Sequence, residues 1–313
     1  MTYNSGQLIL RDHYNEFISG DPVFGPVNHG TPNVNSLWGT GVSLTGYGQS
    51  PLLPQVTTGY EIESAIQWAQ MLTNMGVMAS HQGSSLSAML PAPTAGTAIS
   101  AISAIASNII TLDTNKLVAV ATGTPTVAVA SAAGSWTVSS VHTITLDWTS
   151  PDATRYFFNA AGQIEIVMAR SGGSATGKNT EWTDLLDDCG TIIIDATTAV
   201  KSGGAAPGVG EITNSFGYYG LGVANLLIHR QFAGGVYSSN SVEVYAKING
   251  QNLGGNQDNG DIITLTIVMN DSSGDPPPVD GTTSVTVSAR PPSSTFLVNT
   301  WGVPTPGTGV VQT

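Results

Sequence analysis

Few residues of this chain could do chemistry: five histidines, one cysteine and 21 acids among 313 residues. The histidines are His13, His29, His81, His142 and His229, and no two share the spacing of zinc ligands. Only His13 has another ligand type beside it, Asp12, and adjacent side chains on a strand face opposite ways. Two segments are rich in oxygen donors, Asn256-Gln257-Asp258-Asn259-Gly260-Asp261 and Asn270-Asp271-Ser272-Ser273-Gly274-Asp275. They resemble calcium loops without the glutamate that closes an EF-hand. Lying between strand-like runs, they read as turns, for which Asp, Asn and Gly are the preferred residues. Cys189 follows Asp187 and Asp188, whose charges raise a thiol pKa, the wrong direction for a nucleophile. It reads as a small buried hydrophobe.

No Gly-x-Ser-x-Gly elbow marks a nucleophilic serine. Glu165, Asp184 and Glu243 are available as acids, but nothing in their spacing sets two of them across a cleft, as glycoside hydrolysis requires. The glycines of Gly203-Gly204-Ala205-Ala206-Pro207-Gly208 do not join a strand to a helix and so cradle no phosphate. The aromatic clusters Tyr156-Phe157-Phe158 and Phe216, Tyr218, Tyr219 read as core and interface anchors, because consecutive side chains on a strand must face both ways. The expectation is a protein that is not an enzyme, with no catalytic, cofactor-binding or metal-binding residue.

The elements that would carry these residues fall into two stretches. Residues 1–115 read as an extended arm with helices at about 58–76 and 94–110. Thr58 and Glu61 fit a capping box, Ile62, Ala65, Ile66, Ala69, Leu72 and Met75 follow one helical face, Trp68 and Met71 widen it, and Gly76 is a stop signal. Gly20-Asp21-Pro22, Gly25-Pro26 and His29-Gly30-Thr31-Pro32 carry loop chemistry, so the residues up to about Ser87 are expected to be ordered chiefly by contacts with other subunits. In the second helix Ile99, Ile102, Ile105 and Ile109 recur every three or four residues, and the other face carries no charge.

Residues 116–313 read as a β-rich domain. Leu117–Ala121, Thr126–Ala130, Thr143–Trp148, Gln163–Met168, Ser241–Ile248, Ile262–Met269 and Ser284–Ala289 are short β-branched or alternating runs separated by turn residues. One short helix is expected at about 179–188, Asp275-Pro276-Pro277-Pro278 as a stiff link, and the tail from Pro304 as a loop. The fold class is therefore mainly β with a few helices: a helical and loop-rich N-terminal arm followed by an antiparallel β-sandwich-like C-terminal region.

Charged residues make up 10% of the chain, against roughly 25% in average soluble proteins. Such a surface suits a secreted β protein or a subunit covered by its neighbours. A formal charge of −12 with nine Lys and Arg argues against nucleic acid and against an anionic membrane surface. Met1–Gly6 has no basic leader and no run reaches membrane-span length, so the expectation is a chain made in the cytoplasm.

The segment Arg155-Tyr156-Phe157-Phe158-Asn159-Ala160-Ala161-Gly162-Gln163-Ile164-Glu165-Ile166, with Ala169-Arg170-Ser171-Gly172-Gly173 and Lys178-Asn179-Thr180-Glu181-Trp182-Thr183-Asp184-Leu185-Leu186, resembles a family of tailed-phage virion structural proteins. Tyr47-Gly48-Gln49, His81-Gln82-Gly83 and Val236-Tyr237-Ser238-Ser239-Asn240 fit the same family, whose usual Gly-Gly is Ala161-Gly162 here. The resemblance implies a virion component, neck, collar or tail-associated, that works through subunit contacts with neck, tail or capsid proteins and itself forms a homo-oligomer. It supplies no catalytic residues. Alternatives are a capsid decoration protein and a carbohydrate-binding receptor-recognition module.

Overall fold

The computed structural model describes residues 11–19, 32–56, 65–87, 102–205 and 208–313. The expected capping box at Thr58 and Glu61, the turns from Gly20 to Thr31 and the start of the second helix lie outside them. The chain divides into two units, one of Met1–Gly123, Arg155–Ala161 and Pro292–Trp301, the other of Thr124–Thr154, Gly162–Pro291 and Gly302–Thr313.

The first unit holds α1 (Arg11–Ser19), α2 (Val34–Trp38), α3 (Ala65–Gln82) and α4 (Ile102–Thr114), together with the second half of α5 (Pro151–Asn159). Asn33 caps α2, its Oδ1 accepting from the Ser36 N–H at 2.8 Å. Helix α3 does not stop at Gly76 but runs on to Gln82. Its buried face is Trp68, Met71, Met75, Met78 and Gln82, while Ile66, expected inside, is 76% exposed. The larger Trp and Met side chains remove more apolar area from water, so they choose the face. Tyr14, Phe17 and Ile18 of α1 are buried, and the Tyr14 and Phe17 rings lie 5.7 and 6.3 Å from that of Trp68. On α4, Ile105 and Ile109 are buried as the periodicity predicts, Leu112 is buried one turn further on, and Ile110 is exposed.

Two expectations fail here. Leu117–Ala121 forms no strand. Arg155–Asn159 is not the strand-and-turn its aromatics suggest but the end of α5. The signal lay just upstream: Ser150 accepts the Ala153 N–H at 3.2 Å as a cap, Pro151 takes the first helical position and Asp152 faces the positive end of the helix.

The second unit is a sandwich of two antiparallel sheets. The strands are β1 (Thr126–Ala133), β2 (Ser139–Asp147), β3 (Gln163–Ser171), β4 (Thr191–Ile194), β5 (Ala199–Ser202), β6 (Val209–Thr213), β7 (Leu226–Phe232), β8 (Ser241–Ile248), β9 (Ile262–Asn270), β10 (Thr282–Arg290) and β11 (Thr305–Gln312), with α6 (Gly177–Asp188) between β3 and β4. The first sheet runs β1-β10-β3-β4-β5 and the second β11-β2-β9-β8-β7-β6. Alternation decides the inner faces: Ile164, Ile166, Met168, Val285 and Val287 on one sheet, Ile144, Leu146, Val242, Val244, Leu265 and Ile267 on the other, all 2% exposed or less. Burying each such side chain contributes about 1.5–3 kcal/mol. Helix α6 lays Trp182, Leu185 and Leu186 against this core, and the Trp182 ring meets that of Trp136 edge-on at 4.9 Å. The tail expected as loop is β11, paired with β2 along its whole length although most of its side chains are exposed. An edge strand needs bonds on one side only, so Pro306 is tolerated there.

Candidate functional site

The buried polar groups of the first unit converge on the loop from Thr40 to Gln49. Arg155 is fully buried, and its Nη1 donates to the carbonyls of Thr40 and Thr45, the latter at 2.9 Å. Asn159, one helical turn on, reaches the carbonyls of Ser43, Thr45 and Gly46 at 2.9–3.2 Å. Gln49 Nε2 donates to the Tyr47 and Val298 carbonyls, both at 2.9 Å, and its Oε1 accepts the Val298 N–H at 2.8 Å. Gln82 Nε2 donates to Tyr47 Oη at 2.8 Å and to the Leu112 carbonyl at 3.0 Å, and Tyr47 Oη donates to the Lys116 carbonyl at 2.7 Å. His81 Nε2 lies 3.2 Å from the Ala160 carbonyl and so carries the proton there. Burial holds the His81 pKa down at about 4, against the opposing pull of that carbonyl.

This is a cage that uses its donors on backbone carbonyls. A cleft would aim them at open space. Gly48 shows how tight the cage is: its φ is +67°, and a Cβ there would stand 2.5 Å from the Tyr156 ring and 2.9 Å from Thr300 Oγ1. Gly48→Ala is therefore expected to cost about 2–4 kcal/mol, left-handed strain plus overpacking. Denaturant unfolding measures it, and a variant as stable as the parent would mean the ring is free to move aside.

In the second unit the oxygen-rich turn after β9 encloses a cation of the chain's own. Lys178 Nζ donates to Asp271 Oδ2 at 2.7 Å and to the carbonyls of Asp275 and Pro277 at 2.7 and 2.8 Å. Both side chains of the ion pair are 2% exposed. The ammonium thus takes three of the oxygens a calcium ion would seek in the same loop. Beside it Asp280 accepts from Asn179 Nδ2 and from the Ser174 N–H, and Arg170 reaches the Asp280 carbonyl and, at 3.2 Å, Thr183 Oγ1. These bonds hold the Asp280 carboxyl below its usual range, the Ser174 N–H foremost.

Each side of the sandwich has its own polar bolt. On one, His142 of β2 is fully buried, with Nδ1 3.0 Å from the Ala130 carbonyl of β1 and Nε2 3.2 Å from Thr283 Oγ1 of β10. A carbonyl can only accept, so Nδ1 carries the proton; burial keeps the ring neutral by lowering its pKa. On the other side, Lys201 of β5 donates to Glu211 Oε2 of β6 at 2.7 Å and to Gln231 Oε1 of β7 at 3.3 Å. His229, fully buried nearby, pairs through Nδ1 with Thr213 Oγ1 at 2.9 Å, and burial sets its pKa at about 4. Cys189 is buried, and burial first, with Asp188 and Glu211 adding and Lys201 opposing, pushes its thiol up to about 12.

The candidate acids do not meet. Glu165 on β3 and Glu243 on β8 occupy the outward positions of different sheets, where Glu165 holds a bidentate pair with Arg290 at 2.8 Å and Glu243 accepts from Tyr245 Oη at 2.8 Å. Asp184 is exposed on α6. Phe157, Phe158 and Tyr218 are buried. Among the described residues no three of His, Cys, Asp and Glu gather as metal ligands, and no helix is long and apolar enough to cross a membrane. What the sequence missed is Arg155, Asn159, Lys178 and His142 as fasteners; for Arg155, Asn159 and His142 the available signal was a polar residue among apolar neighbours, and Lys178, set among Thr176, Gly177, Asn179 and Thr180, had none. Comparison with protein-family models, with curated proteins and with solved structures finds no match for this chain.

Proposed function

We propose that this chain is a non-enzymatic structural subunit of a tailed-phage virion, neck, collar or tail-associated, acting through contacts with neighbouring subunits. The observation that carries the reading is that separate pieces of the resemblance, Tyr47-Gly48-Gln49, His81-Gln82 and Arg155–Asn159, meet around one buried loop. Residues so used serve architecture. A second support is a neutral patch on the outward face of the second sheet, across β11, β2 and β9. Val311, Val141 and Val268 lie in register across three strands, and Thr143 and Thr145 face Thr266 and Thr264. Such a surface is solvated weakly when bare and suits covering by neighbours.

The test is imaging of intact particles carrying a labelled copy of the chain. Label in a ring at the neck or along the tail is the expected result. Label spread over the shell would make the protein a decoration subunit, and label absent from purified particles would overturn the reading. The purified chain is also expected to hydrolyse neither polysaccharide nor peptidoglycan, and turnover abolished by replacing a single Asp, Glu or His would refute that part.

A further inference from the structure

We infer that β1 is the self-association edge of this protein, and that a second copy of the same chain pairs with it antiparallel about a two-fold axis through Val129. This deepens the subunit reading above by naming the edge and its occupant.

Strand β1 is Thr126–Ala133, uncharged, free of proline and in unbroken register with β10. The Gly134 N–H donates to the Gly281 carbonyl, and Trp136 and Val279 exchange both bonds in the same register. Bonded pairs alternate along an antiparallel ladder, so even positions of β1 are tied to β10 and odd positions turn their N–H and C=O outward. Those positions are Val127, Val129, Ser131 and Ala133, and no backbone partner for them is found among the described residues. Val127 and Val129 are about half exposed, at 50% and 51%.

The other three free edges carry the devices that natural sheets use against pairing. Strand β11 has Pro306, β5 spans four residues and carries Lys201, and β6 is bulged between Val209 and Ile212 and carries Glu211. Strand β1 has none of these between Thr126 and Ala133, Pro125 standing just before it. Strand β11 of the facing sheet runs close to β1 but shares no ladder with it, which leaves the outward backbone groups of β1 for another strand.

Charge identifies the occupant. With a net charge of −12, two copies repel wherever their acids face each other. The β1 side limits this: neither β1 nor β11 carries a charged residue, and Arg290 on the neighbouring β10 is paired with Glu165 at 2.8 Å. The strand is also self-complementary. A two-fold at Val129 sets Val127 opposite Ser131 of the partner subunit on one face, so that the outward N–H and C=O groups of Val127, Val129 and Ser131 are matched, while Ala133 falls opposite a proline, Pro125, and ends the ladder. Isologous pairing of this kind closes on itself and leaves no edge to propagate.

Sedimentation velocity of the full chain, from low to high micromolar, tests the inference. The expected result is a dimer or an assembly of dimers. Val129→Pro removes only an outward donor and spares the bonds to β10; occurring twice at the axis, it should weaken association by about thirtyfold or more with the thermal midpoint kept. If proline disturbs the fold, Ser131→Lys places a charge on the same edge and should give a monomer, while Val200→Lys on β5 should not. A parent chain monomeric throughout, or an assembly indifferent to both β1 variants, overturns the inference. A β1 dimer absent from particles would sink the virion reading alone, and normal incorporation of folded Val129→Pro would sink the edge alone.

Discussion

Replacing Lys178 with alanine should destabilise the β-rich unit by about 3–5 kcal/mol, the usual cost of removing one partner from a buried ion pair. The Asp271 carboxylate would be left charged at 2% side-chain exposure, and the Asp275 and Pro277 carbonyls would lose their donor. Most of that loss belongs to the stranded charge. Lys178→Met combined with Asp271→Asn should therefore recover roughly half of it, while the two carbonyls remain unpaired. Urea unfolding followed by tryptophan fluorescence reads the effect directly, because Trp136 and Trp182 stack edge-on at 4.9 Å beside this loop. Millimolar calcium should leave the parent's stability unchanged, since the ammonium already holds the loop oxygens. A Lys178→Ala variant within about 1 kcal/mol of the parent, or a parent strongly stabilised by calcium, would show that the loop is not closed in this way.

Acid should unfold the protein in steps set by three histidines. His81, His142 and His229 are 0–2% exposed, and burial lowers the pKa of each below the usual 6.5, to about 4 for His81 and His229. A group whose folded pKa is depressed binds its proton more readily when unfolded. Its contribution to stability is therefore whole above pH 6.5 and is lost as pH falls towards the folded value. For His81 and His229 the loss is about 3 kcal/mol each by pH 4, comparable with much of a domain's stability. Protonation would also set a second N–H of His142 against Ser140 and Thr283, where the neutral ring accepts. The measurement is unfolding free energy from pH 7.5 down to 5, a range in which most carboxylates stay ionised. A steepening decline is expected, and a shallower one in His142→Asn. A flat profile over that range would mean that the rings open to water before they titrate.

The sandwich was legible in the sequence wherever alternation is local. Ser241–Ile248 emerges as β8 with the same ends, and β3, β9 and β10 contain the runs expected of them, because a period of two with one apolar face specifies both a strand and its buried side. Helix α6 was equally plain from Trp182, Leu185 and Leu186. The strands β4 to β7 and the tail strand β11 were not, since the ladder of a neighbouring strand makes them strands, and Thr305–Gln312 has little propensity of its own. Helix α5 was legible in Ser150-Pro151-Asp152 but hidden by the aromatics that follow.

The partners of the fasteners were beyond the reach of any local pattern. Lys178 meets Asp271 across 93 residues, and Arg155 meets Thr40 across 115. Composition alone established a low-charge, acidic chain with no obvious chemistry. Which of its few charges are buried, and against which carbonyls, was decided by tertiary structure, because a buried donor is tolerated only where the folded chain brings an acceptor to it.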